Sequence, residues 1–208
     1  MVEFTVIVPA RFASLRLPGK PLRDVAGKPL IQRTYETVKT SSATRIVVAT
    51  DDDGISQVVH GFGGEVCLTS VSHQSGTDRV AEAATSLELD ADEIVVNVQG
   101  DEPDMPGALI DQVVEALVAN PSASVATAAT GLDNPGQFID PAVVKVVTDK
   151  KNFALYFSRA GIPFARSDAE GGPDRVPWRL ARRHIGIYAY RVRYLHKFTA
   201  EPVTPLEA

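Results

Sequence analysis

The sequence predicts an α/β protein built on a mostly parallel, doubly wound sheet, with a smaller lobe of mixed strands. Two observations lead there. Through the first 120 residues, short apolar runs alternate with helix-spaced apolar stripes, the pattern of consecutive βαβ units. The runs are near-continuous rather than alternating, as expected of strands covered on both faces.

The elements follow in order. "FTVIVPA" (4–10) is a β-rich run closed by Pro9, and Leu30, Ile31, Tyr35 and Val38 then form one helical stripe with Pro29 at its start, where a missing N–H does no harm. "RIVVAT" (45–50) is the second strand, and Ile55, Val58, Val59 and Phe62 mark a helix that Asp51 to Asp53 can cap. "GGEVCLT" (63–69) reads as the third strand, with Val80, Ala83, Ala84 and Leu87 on the helix after it. "DEIVVNVQGDEP" (92–103) reads as a fourth strand with an acidic tip, followed by a helix bearing Leu109, Ile110, Val113, Val114, Leu117 and Val118. Beyond residue 120, "SVATAAT", "AVVKVVTD", "ALYFSR" and "HIGIYAYR" look like strands without long helices between them. Residues 165–179 form a polar excursion rich in Gly and Pro, read as a flexible loop or an arm over a partner.

Composition narrows the class. The 208 residues suit one α/β domain, with 44% hydrophobic and 23% charged residues, ordinary for a globular protein. A net charge of -5 argues against a general affinity for nucleic acid or anionic membrane, so any anion site must be local. One cysteine, Cys67, excludes an internal disulfide framework and reads as a core residue in a reducing compartment. No apolar stretch is long enough to span a bilayer and no signal-peptide pattern opens the chain, so the expected address is the cytoplasm.

Two strand ends carry unusual polarity. The loop after the first run holds Arg11, Arg16 and Lys20 with no carboxylate before Asp24, while "NVQGDEP" (97–103) is acidic. A solvated basic loop would also bear such residues, but three cations on one loop stiffened by Gly and Pro argue for use. The pairing suits a nucleoside triphosphate with magnesium, cations holding phosphates and a carboxylate holding the metal. This is not a Walker A loop, because Gly19-Lys20 is followed by Pro21, and the G-x-G-x-x-G dinucleotide fingerprint is absent too. Asn97, Gln99 and Asp101 alternate and so would project to one side of a strand. "HQSGTDR" (73–79) is either an ordinary capped loop, with Ser75 or Thr77 as cap, or a polar pocket for a nucleobase with Arg79 in reach; the residues leave both open. His184, Gly186, Tyr188 and Tyr190 share one strand face, as structural residues or as the lining of a pocket for a polyhydroxylated acid. Clustered Cys/His ligands and a G-x-S-x-G elbow are both lacking, which removes a zinc site and a serine nucleophile.

Together "IVPARFASLRLPGKPL", "IVVATDD", "GGEVCLTSVSHQSGTDR", "VVNVQGDEP", "VKVVTD", "ALYFSRAGIPF", "RHIGIYAYR" and "PLE" resemble, in order and spacing, the blocks of the 3-deoxy-manno-octulosonate cytidylyltransferases, the CMP-Kdo synthetases of lipopolysaccharide synthesis. The resemblance covers the whole chain. It implies a nucleotide-diphospho-sugar-transferase-like fold, a homodimer, CTP and Kdo as substrates, and Mg2+ as cofactor. Residues 1–120 would be the nucleotide-binding half, and residues 121–208 the half for substrate binding and dimerisation, with "RVPWRLARRHIGIYAY" as the expected dimer face. It implies that Ala10, Arg11, Arg16 and Lys20 cradle the CTP phosphates and that Gln74, Ser75, Gly76 and Arg79 lie around the cytidine. Asp101 would hold magnesium, and Arg11, Lys20 and Asp101 would carry catalysis. Gln99, Arg159, His184 and Tyr188 would form the Kdo pocket. The family continues past the "PLE" block to a segment with a second magnesium-binding aspartate, so the chain is expected to lack that C-terminal end. An 8-amino analogue of Kdo, or CTP binding without turnover, are the alternative readings.

Overall fold

The computed structural model describes residues 2–13, 17–164 and 178–202. Two compact units are distinguished, Met1–Ala126 with Ile187–Ala208, and Thr127–Gly186.

The first unit begins with β1 (Phe4–Ala10), whose seven residues are all buried. Val6, Ile7 and Val8 have no exposed surface, and burying such side chains stabilises by about 1.5–3 kcal/mol each. A small hairpin, β2 (Asp24–Val25) and β3 (Lys28–Pro29), leads into α1 (Leu30–Val38). Then come β4 (Arg45–Thr50), α2 (Asp53–Gly61), β5 (Glu65–Leu68), α3 (Gly76–Ser86), β6 (Ile94–Asn97) and α4 (Gly107–Ala119). Caps fix two of the helix starts. Asp52 accepts from the Ile55 N–H at 2.8 Å, and Ser75 and Asp78 form a reciprocal capping box on α3.

β1 pairs in parallel with β4 on one side and β6 on the other, and β4 pairs in parallel with β5. The chain therefore winds outward from β1 in both directions, and the strand order reverses between β1 and β6. Such a reversal leaves a crevice beyond the carboxyl ends of the two strands. The parallel sheet read from the apolar runs is thus present. On one face, Ile7, Val47, Ala49, Cys67 and Val95 form a core with Val80, Ala83 and Ala84.

In the second unit lie most of β7 (Val125–Gly131), α5 (Pro135–Ile139), β8 (Lys145–Thr148), β9 (Ala154–Ser158) and the first part of β10 (Arg182–Arg191). β8 runs antiparallel to β9 and to Arg182–Arg183, giving the expected mixed strands. Leu132, Phe138 and Ala181 form its small core, with Val143 and Trp178 against it. The second part of β10 belongs to the first unit, where it runs antiparallel to β6 with Tyr188 opposite Asn97. The chain then enters α6 (Val192–Ala200), a helix the sequence pattern did not mark; Val192 and Leu195 join the core beside α3. Most of the 165–179 excursion lies outside the described residues, which resume with a single 3-10 turn at Trp178–Leu180.

Candidate active site

The crevice beside β1 and β6 collects the two polar strand ends. Ala10 is buried at the end of β1, and Arg11 follows it exposed. The loop after it returns on itself, the Gly19 N–H donating to the Phe12 carbonyl at 2.9 Å. Gly19 has φ of 68°, a left-handed conformation that an L side chain adopts at a cost. That turn places Lys20 at the head of a 3-10 turn, Lys20–Leu22. Arg16 lies outside the described residues.

From the turn that follows the neighbouring strand comes Asp101, and its carboxylate forms an ion pair with the Lys20 ammonium. The two residues are 81 positions apart in the chain. Their placement is a correction to the strand-alternation reading. β6 ends at Asn97, so Asp101 is carried by a turn in which Glu102 N–H donates to the Gln99 carbonyl at 3.1 Å. Gly100 makes that turn possible, because a Cβ there would sit 2.9 Å from the Pro9 carbonyl oxygen. Helix α1 supports it from below. The Thr34 hydroxyl donates to the Gly100 carbonyl at 3.0 Å and the Thr37 hydroxyl to the Pro103 carbonyl at 2.7 Å. Partial burial, then repulsion from Asp101, pushes the Glu102 carboxyl above its ordinary value, with Lys20 opposing.

Next to this turn stands the N-terminus of α3. A Cβ on Gly76 would lie 3.5 Å from the Pro9 ring and 3.6 Å from the Gln99 side chain, so the helix start approaches both strand ends. Gln99 donates to the Asn97 side-chain oxygen at 3.3 Å, and Asn97 is buried opposite Tyr188. The Tyr188 ring stacks with Tyr190 at 5.9 Å, and burial raises both phenols above their ordinary value. Gln74 donates to the Ser72 carbonyl at 3.1 Å, in the connection just before Ser75.

The cytidylyltransferase family model matches residues 5–208. A 3-deoxy-manno-octulosonate cytidylyltransferase from Hahella chejuensis is 52% identical over the full chain, which spans 82% of that protein. One from Cellvibrio japonicus is 51% identical with the same coverage. A solved CMP:2-keto-3-deoxy-manno-octonic acid synthetase complexed with CTP superimposes with a TM-score of 0.85 at 36% identity, over 99% of this chain and 80% of that one. This chain belongs to the 3-deoxy-manno-octulosonate cytidylyltransferase family. A cytidylyltransferase from Leptospira borgpetersenii, 18% identical over the whole of this chain and 67% of that one, shares the fold with a TM-score of 0.60.

Within this member of the family, Arg79 is built differently from a solvent-facing base reader. It is 2% exposed, and its guanidinium donates to Asp51 at 2.7 Å, to the Thr69 hydroxyl and to the Ser70 carbonyl. It therefore ties the segments just after β4 and β5 to α3. In the second unit, Arg159 donates to the Pro141 carbonyl at 2.8 Å. The His184 imidazole Nε2 lies 2.9 Å from the Thr127 hydroxyl and meets Phe157 edge-on, and burial lowers its basicity.

Sequence reasoning passed over Lys145. Its side chain is fully buried and its ammonium donates to the carbonyls of Asp140, Val143 and Arg159 at 2.9, 2.6 and 2.6 Å. The signal was a lone lysine inside the apolar run "AVVKVV", where a charge must be matched by acceptors.

Proposed function

We propose that this protein transfers CMP from CTP to the anomeric hydroxyl of Kdo, releasing pyrophosphate, and so supplies activated sugar for lipopolysaccharide assembly. The Lys20–Asp101 pair at the strand-order reversal carries the reading, and the names and coverage of the relatives support it over the 8-amino and non-catalytic alternatives. A metal-chelated triphosphate brings a counter-charge for each member: phosphate oxygens for the ammonium and a cation for the carboxylate.

The hydroxyl oxygen forms its bond to the α-phosphorus, the bond from that phosphorus to the bridging oxygen breaks, and the hydroxyl proton passes to solvent. Arg11 and Lys20 neutralise charge on the phosphoryl oxygens and align the leaving pyrophosphate. Ser75 and Gly76, at the start of α3 beside Gln74, border the cytidine, and Gln99 and Tyr188 border the sugar.

The tip fits magnesium by donor chemistry. Among the described residues no three His, Cys, Asp or Glu side chains gather into a protein cage. A half-exposed Asp101 beside Glu102, whose carboxyl already resists more negative charge, instead suits an ion shared with substrate phosphates. Asp101 would hold that ion, which would draw charge from the phosphoryl oxygens and ease loss of the Kdo hydroxyl proton.

Two further features complete the proposal. A second copy of the chain covers β9, where Leu155 and Tyr156 are 67% and 59% exposed, in place of the "RVPWRLARRHIGIYAY" face expected above, of which Ile187, Ala189 and Tyr190 are already buried within the chain. The protein works in the cytoplasm; no helix among the described residues is long and apolar enough to cross a membrane, and Cys67 is a free thiol. A pyrophosphate-release assay with CTP, Kdo and magnesium tests the reaction. Release that requires both substrates supports it, and release from neither CTP nor UTP with Kdo overturns it.

A further inference from the structure

The connection from β5 to α3 is held by side chains of the helix it leads into. Asp78 accepts from the Ser75 N–H at 3.1 Å, Arg79 takes Thr69 and the Ser70 carbonyl, and one oxygen of Glu82, Oε2, accepts from the Ser70 N–H at 2.8 Å. The same oxygen bonds the His73 imidazole Nε2. Asp78 and Glu82 are four residues apart and so lie on one face of α3, over which the connection is drawn. Burial disfavours the Glu82 carboxylate, yet the Ser70 N–H and the His73 ring hold it below the usual carboxylate range. Between these anchors the chain is braced internally. Ser70 and Ser72 join through their hydroxyls at 2.7 Å, and Gln74 closes onto the Ser72 carbonyl.

Cys67, buried in the core, and the apolar residues of α6 are absorbed by packing, but the Glu82–His73 contact is not. His73 is partly buried, with its side chain 19% exposed, and it latches the connection immediately before Gln74. Hydrogen-bond recognition by a loop is only as selective as the loop is fixed, within roughly 0.5 Å.

We infer that the Glu82–His73 latch is a positioning device that sets nucleotide affinity and the preference for CTP over UTP, by holding residues 69–75 in register with the base. The two bases differ along one edge, an amino group beside an acceptor N3 in cytosine against a carbonyl beside an N3–H donor in uracil, and a loop that shifts accepts either. Among the described residues Glu82 hydrogen-bonds only the Ser70 N–H and the His73 ring, and neither residue is among those assigned above to the phosphates, the metal or the sugar, so the latch should act on nucleotide binding and leave the transfer step alone. The inference rests on the cytidylyl-transfer reading above.

Pyrophosphate release is measured with CTP, UTP and Kdo varied separately for the wild-type chain, Glu82→Ala, Glu82→Gln and His73→Ala. Glu82→Ala should raise KM for CTP about tenfold, the size of one charge-assisted hydrogen bond, and lower the CTP-over-UTP ratio. kcat and KM for Kdo should stay within about twofold. Glu82→Gln keeps an acceptor for the Ser70 N–H and should recover most of the affinity; His73→Ala should fall between. An unchanged KM for CTP and an unchanged CTP-over-UTP ratio in folded Glu82→Ala and His73→Ala, with an active wild type, overturn the latch while leaving the reaction standing. Parallel losses in kcat and both KM values, or loss of fold in both alanine variants, reduce the pair to a structural contact and overturn it too. A wild type that releases no pyrophosphate refutes the reaction, and the latch with it.

Discussion

Lys20→Ala separates what the Lys20–Asp101 pair does for folding from what it does for chemistry. The side chains are 38% and 45% exposed, so the pair is a surface ion pair, worth about 0.2–1 kcal/mol to stability. For a chain of this length, 1 kcal/mol moves Tm by about 2–4 °C, so the variant should melt within about 4 °C of wild type. The catalytic cost is larger. A unit cation about 4 Å from a phosphate charge contributes about 4 kcal/mol at an effective dielectric near 20. That is roughly a thousandfold in rate if the interaction strengthens fully in the transition state. Lys28→Ala is the control, because Lys28 pairs with Glu36 at 2.7 Å with 42% and 40% exposure and lies on the hairpin before α1. It should cost the same small stability and no turnover. The assay is steady-state pyrophosphate release alongside thermal unfolding on the same preparations. Near-normal turnover in Lys20→Ala refutes the assignment. So does a Tm loss large enough for the unfolded fraction to explain the lost rate.

Three further outcomes follow from the buried polar groups. Arg79→Met leaves Asp51, whose side chain is 14% exposed, without its cation, and should lower stability by about 3–5 kcal/mol, read as a fall in the urea midpoint. Lys145→Met leaves three carbonyls without a donor at about 1–3 kcal/mol each, outweighing the relief of no longer burying a charge, and chemical denaturation should show a net loss. His184 is held below its ordinary value by burial, so the unfolded chain takes up a proton at higher pH than the folded one. Stability should therefore be intact above about pH 6.5 and decline as the pH falls from there toward the lowered folded value. In His184→Asn that decline should shrink, and a Tm–pH curve identical to wild type would refute it.

Much of this was legible along the chain because it is local. The apolar runs marked β1, β4, β5 and β6, and the stripes marked the helices between them, since burial on both faces or on one stripe writes its period into neighbouring residues. The cap candidates Asp51 to Asp53, and Ser75 or Thr77, contained the residues that cap α2 and α3, Asp52 and Ser75, though residue type alone did not choose among them. What failed was alternation past Asn97. A backbone that leaves a strand for a turn no longer has a period of two, and only the close approach of Gly100 to Pro9 shows where the strand must stop. The helix α6 escaped notice because "VRYLHKFTA" mixes charges with its apolar stripe; Val192 and Leu195 become core only once α3 lies beside them. The residues of "HQSGTDR" leave open whether Arg79 faces a base, and nothing within that motif indicates Asp51 as its partner.

The sequence by itself determined the class of fold, the order of its βαβ units and the presence of a cationic loop and an acidic tip, because each depends on residues close in the chain. Only the tertiary structure decided that β1 and β6 are neighbours with the strand order reversing between them, and hence that Lys20 meets Asp101. It alone also decided which charges are consumed inside, Arg79 on Asp51 and Lys145 on three carbonyls, and which remain at the crevice. The reason is physical: a side chain's type sets what partner it needs, but strand order and crossover geometry choose which partner it receives.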